Sequence, residues 1–298
     1  MKIGINSELF NFLELPRDKI SAKLNKVGFE CYDYTLHGKW ATPNEVFNQP
    51  REGWVKFFTE ERKMLEGEGM SVSQTHAVYR SDFDSEQPYV FTQKVIDQLK
   101  REIEATAILG AKYIVIHPIN MAIKWKNEKE DFECNMREFA KITPILKEFG
   151  VKNGVENMFG YDADTGRNCH TGCSTTEDMI KYLDGLNDRD AYCNCLDIGH
   201  MNIHAINPAD TIRTLKDRIE ILHVHDNNGL SDQHSPIGFG IIDWNDVASA
   251  LKEINYKGVF SLELTNLKKY YQFGDNAFWS FVKYAYDSAK HVVDMIEK

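Results

Sequence analysis

Six ionisable side chains each follow a short β-prone run: His76 after Ser71 to Thr75, His117 after Tyr113 to Ile116, Glu156 after Val155, Asp197 after Cys195-Leu196, His223 after Ile221-Leu222, and Glu263 after Ser261-Leu262. A single histidine or glutamate at such a place is ordinarily hydrogen-bonded or solvated. Several carboxylates converging on one mouth would repel and raise one another's pKa, whereas a divalent cation favours their ionised forms. The pattern therefore predicts a bound divalent metal. Imidazole and carboxylate donors without thiolate suit Mn²⁺, Zn²⁺, Co²⁺, Fe²⁺ or Mg²⁺.

For these residues to meet, the runs that precede them must be parallel strands opening on one face. Eight strand candidates are legible: Lys2 to Ile5, Phe29 to Tyr32, Met70 to Gln74, Tyr113 to Ile116, Val151 to Val155, Ala191 to Leu196, Ile219 to Val224 and Val259 to Leu262. Between them lie segments of helical period, such as Val95, Ile96, Leu99, Ile103 and Ala107, or Phe278, Val282, Ala285, Val292 and Ile296. Helix starts are marked by a capping box at Ser174 and Glu177, by Asn207-Pro208, and by Asp243. Pro144 predicts a kink or break in the helix from about Phe132 to Phe149. Alternation of this kind over 298 residues points to an α/β fold, a single (β/α)₈ TIM barrel, read as one domain over residues 1–298. A doubly wound sheet is the alternative, but Asn6-Ser7-Glu8-Leu9 replaces the glycine-rich turn expected after its first strand. In a barrel, strand C-terminal ends carry the chemistry, and the six residues end the third to eighth strands.

Composition narrows the partners. With 35 basic and 45 acidic residues the formal charge is −10, which argues against a phosphate surface such as nucleic acid or an anionic membrane. No apolar run reaches the length of a membrane helix and no signal peptide is visible, so a cytoplasmic location is expected. The six cysteines lack a regular spacing and read as reduced thiols. Cys169-His170-x-x-Cys173 with Cys193-x-Cys195 is the one arrangement that could form a structural zinc site.

Glu156-Asn157-Met158, Leu196-Asp197-Ile198-Gly199-His200, His223-Val224-His225-Asp226-Asn227, Asp232-Gln233-His234 running on through Gly240 to Ile242-Asp243-Trp244, and Leu262-Glu263 together resemble the xylose isomerase-like barrel superfamily over nearly the whole chain. That group includes sugar phosphate isomerases and epimerases, ketose 3-epimerases, inosose-processing enzymes and endonuclease IV. The resemblance implies one metal held by Glu156, Asp197, His223 and Glu263, with Glu156 and Glu263 as the catalytic acid and base. It implies that His200 approaches the substrate or a second metal, and that Asp226 orients a ligand. His76, His117, Asp232 and His234 match the further ligands of the three-zinc endonuclease site, and many sugar isomerase-like members carry them too. A homo-oligomer, dimer or tetramer, is implied as well.

Two chemistries share this scaffold. In the first, the cation binds a sugar carbonyl and its neighbouring hydroxyl, one glutamate removes the proton between them and the other returns it, giving a metal-dependent isomerase or epimerase acting through an enediolate. The same enolate could expel a leaving group in a dehydratase or lyase. In the second, zinc ions activate water against the phosphodiester of abasic DNA. The presumed mouth loops mix Arg80, Lys124, Lys126, Arg167, Lys268 and Lys269 with Asp82, Asp84, Glu128, Asp162, Asp164 and Asp275, too balanced for a duplex groove. A small sugar or sugar phosphate is the expected substrate, and a non-catalytic sugar-binding protein remains as a third reading. Phe10, Trp40, Tyr79, Trp125, Phe159, Tyr161 and Trp244 are candidate stacking residues, with Trp244 expected in the core or at an interface. Arg167 and Lys124 are candidate phosphate anchors.

Overall fold

The computed structural model describes residues 1–36, 46–78, 87, 89–119, 128–162, 164–265 and 268–298. Its strands are β1 (Ile3–Asn6), β2 (Cys31–Thr35), β3 (Ser71–His76), β4 (Tyr113–Val115), β5 (Lys152–Glu156), β6 (Gly160–Asp162), β7 (Arg167–Cys169), β8 (Tyr192–Asp197), β9 (Ile219–His223) and β10 (Phe260–Leu262). Eight of them form one parallel sheet in the order β10-β1-β2-β3-β4-β5-β8-β9. Beyond the last ladder pair, Val224 N–H donates to Ser261 O and Glu263 N–H to Val224 O, bringing β9 onto β10 and closing the ring. The expected (β/α)₈ barrel is the fold.

The helices are α1 (Arg17–Val27), α2 (Arg51–Gly67), α3 (Gln93–Ile108), α4 (Glu128–Phe149), α5 (Thr176–Leu186), α6 (Ile198–Ile203), α7 (Pro208–Leu215), α8 (Trp244–Glu253), α9 (Lys268–Tyr271) and α10 (Asp275–Glu297). Their apolar stripes pack on the outside of the sheet and form most of the buried core. Inside the barrel a small separate layer of Val115, Cys195 and Ile221 fills the lumen. Gly154 makes that layer possible, because a Cβ there would fall 2.2 Å from the Ile221 side chain.

Three local expectations need correction. The capping box belongs to Thr175 and Asp178, one residue beyond Ser174 and Glu177, while Ser174 Oγ instead donates to Met158 O. The helix α4 runs unbroken through Pro144, so the expected break is absent; both Pro144 and Ala140, whose carbonyl loses its bond, lie on the exposed side. An antiparallel hairpin, β6 with β7, follows β5 where the sequence suggested only loop. The caps at Asn207 and Asp243 form as expected, each side chain accepting from the first turn of its helix. Among the described residues no helix is long and apolar enough to cross a membrane.

Candidate metal centre

Strand geometry delivers the sequence-selected residues to one end of the barrel. His76, Glu156, Asp197 and His223 are the last residues of β3, β5, β8 and β9, Glu263 follows β10 directly, and His117 lies two residues past β4. His200 stands in the first turn of α6, where the Asp197 carboxylate accepts its N–H at 2.7 Å. Asp232 and His234 arrive on the long segment between β9 and α8.

These side chains, with His225, form three groups able to hold a cation, and within each group one ligand atom per residue lies within 4.8 Å of the others: Glu156, Asp197, His223 and Glu263; His76, His117 and Glu156; His200, His225, Asp232 and His234. The groups abut. Glu156 Oε1 is 3.0 Å from His223 Nδ1, and Glu263 Oε2 is 3.2 Å from the same nitrogen. The other Glu156 oxygen is 3.0 Å from His117 Nε2, itself 2.9 Å from His76 Nε2. Asp197 Oδ1 is 3.1 Å from His225 Nε2, linking the four-ligand group to the third. In that third group Asp232 Oδ2 is 2.7 Å from His234 Nε2 and 3.6 Å from His200 Nε2.

The imidazoles are oriented from behind. His76 Nδ1 meets Ala77 O at 2.9 Å, His200 Nδ1 meets Asn157 O at 2.7 Å, and His234 Nδ1 meets Glu263 O at 3.0 Å. A carbonyl only accepts, so in the neutral ring each Nδ1 carries the proton and each Nε2 presents a lone pair to the centre. His234 adopts a φ of 43°, uncommon for a residue with a Cβ, to reach this position. Gly199 serves the same end, since a Cβ there would fall 1.9 Å from the His225 ring.

Charge balance fits a cation. Burial pushes the Glu156 carboxyl up, yet His223 and His117 outweigh it and hold the group well below the carboxylate range. Burial raises Glu263 to about 8. Burial likewise works against ionising Asp232, but the hydrogen bonds from His200 and His234 keep it strongly depressed. Burial lowers His200 and His234, but Asp197 lifts the first well above its usual range and Asp232 lifts the second to about 9. Protons on imidazole therefore balance the carboxylates when nothing else does, and a divalent cation would displace them. Asp232 Oδ1 and Glu263 Oε2 are buried without a well-aligned hydrogen-bond partner, as donors awaiting a metal would be.

Asp226 does something other than orient a ligand side chain. Its buried carboxylate accepts N–H groups from Asn227, Gly238, Ile242 and the Trp244 indole, folding the segment that carries Asp232 and His234. Trp244 is thus a core residue with a polar attachment, as expected. Two buried residues escaped the sequence-level site list: His225, which was noted only as a neighbour of His223, and Asp33, whose carboxylate lies 3.2 Å from His223 Nε2. The available signal for Asp33 was a charge within the otherwise uncharged run Cys31-Tyr32-Asp33-Tyr34-Thr35.

Of the stacking candidates, Phe159 packs edge-on against His200 at 5.0 Å, Tyr161 is exposed on the hairpin, and Phe10 is core, packed on Phe278 and Trp279. Arg167 is exposed on β7, Lys269 lies over the Tyr270 ring, and Asp275 opens α10. Trp40, Tyr79, Arg80, Asp82, Asp84, Lys124, Trp125 and Lys126, with the side chains of Glu128 and Lys268, lie outside the described residues. Cys31, Cys173, Cys193 and Cys195 are buried free thiols, and among the described residues no group able to hold a metal includes a cysteine.

The sequence profile described as the xylose isomerase-like TIM barrel matches residues 21–277. An uncharacterized protein of Methanocaldococcus jannaschii, MJ1311, is 28% identical over 279 residues, covering 90% of this chain and 85% of its own length. A protein of Staphylococcus saprophyticus named "Probable endonuclease 4" is 26% identical over 214 residues, covering 66% of this chain and 67% of its own. Among solved structures, a D-tagatose 3-epimerase-like protein superposes with a TM-score of 0.75 at 24% identity, covering 100% of this chain and 98% of the other, a likeness of fold. The match across most of the barrel settles the family: this chain belongs to the xylose isomerase-like TIM-barrel family.

Proposed function

We propose that this protein is a divalent-metal-dependent sugar isomerase or epimerase, moving a proton next to a carbonyl through an enediolate. The observation that supports this reading is the convergence of Glu156 and Glu263, from strands far apart in the sequence, on one nitrogen, His223 Nδ1, at 3.0 and 3.2 Å. A cation held by Glu156, Asp197, His223 and Glu263, whether Mn²⁺, Zn²⁺, Co²⁺ or Mg²⁺, would supply electrostatic stabilisation of charge developing on a substrate oxygen. The two glutamates then have distinct work: one accepts the carbon-bound proton and the other delivers it, to the opposite face or to the adjacent carbon. Loss of a leaving group from the same enediolate would make the protein a dehydratase or lyase. The enclosure of the four-ligand group, where only Glu263 has appreciable exposure, suits a small sugar or sugar phosphate.

A specific observation favours a second reading, a zinc phosphodiesterase on abasic DNA. The three candidate groups share or touch one another through Glu156 and Asp197, an arrangement suited to clamping a phosphate between several cations. Against it stand the net charge of −10 and the few cations on the described mouth loops.

The deciding experiment incubates the metal-reconstituted protein with a panel of ketoses and ketose phosphates in deuterated water and follows deuterium at carbon, alongside an abasic duplex. Exchange that disappears in Glu156→Gln and Glu263→Gln supports the proposal. Absence of exchange on every sugar, with duplex cleavage that is lost in His117→Ala, overturns it in favour of the phosphodiesterase.

A further inference from the structure

His223 is the imidazole at the centre of the four-ligand group, and only one of its nitrogens can serve a cation. Nδ1 faces Glu156 and Glu263 at 3.0 and 3.2 Å. Nε2 points the other way, into the barrel, where a buried carboxylate waits: Asp33 Oδ2 is 3.2 Å away. Both residues are almost entirely shielded, His223 at 0% and Asp33 at 1% exposure. Apart from His223, no basic side chain pairs with Asp33 among the described residues; its other partner is the Gln74 amide, donating to Oδ2 at 3.1 Å. Asp33 Oδ1 and His223 Nε2 are both buried without a well-aligned hydrogen-bond partner.

A bare carboxylate inside a barrel is costly unless it interacts with something that compensates it. The backbone is built to keep it there. The register between β2 and β3 slips between Tyr32 and Asp33, so that Asp33 sits opposite Gln74 rather than Ser73. Such an irregularity re-aims side chains, and here it pairs the aspartate with the amide that fixes its rotamer. The flanking Tyr32 and Tyr34 pack in the main core.

We infer that Asp33 is a positioning residue for the metal centre: its carboxylate takes the His223 Nε2–H, fixing the tautomer that leaves the Nδ1 lone pair for the cation and raising that nitrogen's basicity. Gln74 holds Asp33 in turn. This rests on His223 being a metal ligand and is indifferent to whether the substrate is a sugar or a phosphodiester.

The test is calorimetric titration of chelator-stripped protein with Zn²⁺ or Mn²⁺. Wild type, Asp33→Asn, Gln74→Leu and His223→Ala are compared, each with its thermal midpoint. Asp33→Asn keeps the volume and one acceptor oxygen but removes the charge, so the inference expects affinity at the tightest site to fall about 10- to 100-fold while the chain stays folded. Gln74→Leu should lower affinity by less, and His223→Ala should abolish that binding event. Unchanged affinity in a folded Asp33→Asn overturns the inference while leaving the metal reading intact. A wild type that binds neither metal overturns both. Should Asp33→Asn fail to fold, long-range ¹H–¹⁵N spectra of the zinc-loaded wild type carry the test. A proton on His223 Nε2 supports the inference, and a proton on Nδ1 refutes it.

Discussion

The side-chain amide of Asn157 brackets the main chain of Asp197, accepting its N–H at 2.8 Å and donating to its carbonyl at 2.9 Å. One residue beyond Glu156, it ties the end of β5 to the end of its neighbour β8, and its own carbonyl receives His200 Nδ1. Three candidate ligands from two strands and a helix are thereby held to one another. Asn157→Leu removes both side-chain bonds inside a dry environment. It is expected to cost about 2–4 kcal/mol in denaturant unfolding and to weaken metal binding in the variant that remains folded. An unchanged unfolding midpoint would show that the bracket is dispensable.

Glu156→Gln and Glu263→Gln test the proton-transfer assignment directly. Each is expected to lower solvent-deuterium exchange into a ketose substrate by about 10²- to 10⁴-fold or more. Metal content should be measured in parallel, because both residues are also candidate ligands. A variant that keeps its metal and its exchange removes that glutamate from the acid–base role.

Stripping divalent metal should destabilise the protein, because the carboxylates of Glu156, Asp197, Asp232 and Glu263 then have only imidazole protons to balance them. A cation bound at a hundred times its dissociation constant contributes about 3 kcal/mol, so chelation should lower the thermal midpoint by roughly 5 °C or more. Elemental analysis on reconstitution discriminates the two functional readings. One ion per chain matches the sugar site, and two or three zincs per chain match the linked groups.

Glu102 offers a pH prediction away from the centre. It is fully buried on α3, accepts from Gln98 and Val78, and burial lifts its carboxyl from the ordinary 4.5 to about 8. Between those values the native state holds a proton that the unfolded chain has released. Stability therefore falls as pH rises through that window, by an amount on the order of a few kcal/mol once the group is ionised. Glu102→Gln mimics the protonated form and should flatten the decline between about pH 4.5 and 8 in urea-unfolding midpoints. An identical slope in the variant would assign the decline elsewhere.

The Asp226 clip should be visible in the segment it folds. Asp226→Asn replaces an oxygen that accepts N–H groups with an NH₂ group that only donates, and is expected to cost about 2–3 kcal/mol. Trp244→Phe, which removes only the indole bond, should cost about 1 kcal/mol. If hydrogen exchange of the Gly238 and Ile242 amides is unaltered in both, the carboxylate is not what holds the segment.

Much of the fold was readable because barrel strands and their covering helices carry strong local periodicity, and because the ionisable residues fall where strands end. Boundaries were less secure. The capping box shifted by one residue since Thr175 and Ser174 are chemically alike, and the choice depends on which hydroxyl reaches Met158. The β6–β7 hairpin is made of Gly-Tyr-Asp and Arg-Asn-Cys, which lack the apolar alternation that marks a buried strand.

The chain's own pattern of residue types therefore determined the (β/α)₈ architecture, the face on which chemistry must lie, and nearly all the imidazoles and carboxylates gathered there. Tertiary structure alone decided how they are grouped. That Glu156 turns one oxygen to His223 and the other to His117, that His225 joins Asp232 and His234, and that Asp33 stands behind His223 all follow from ring closure and strand stagger. Those contacts join residues up to 190 positions apart, from Asp33 to His223, and no local propensity encodes a distance across a barrel.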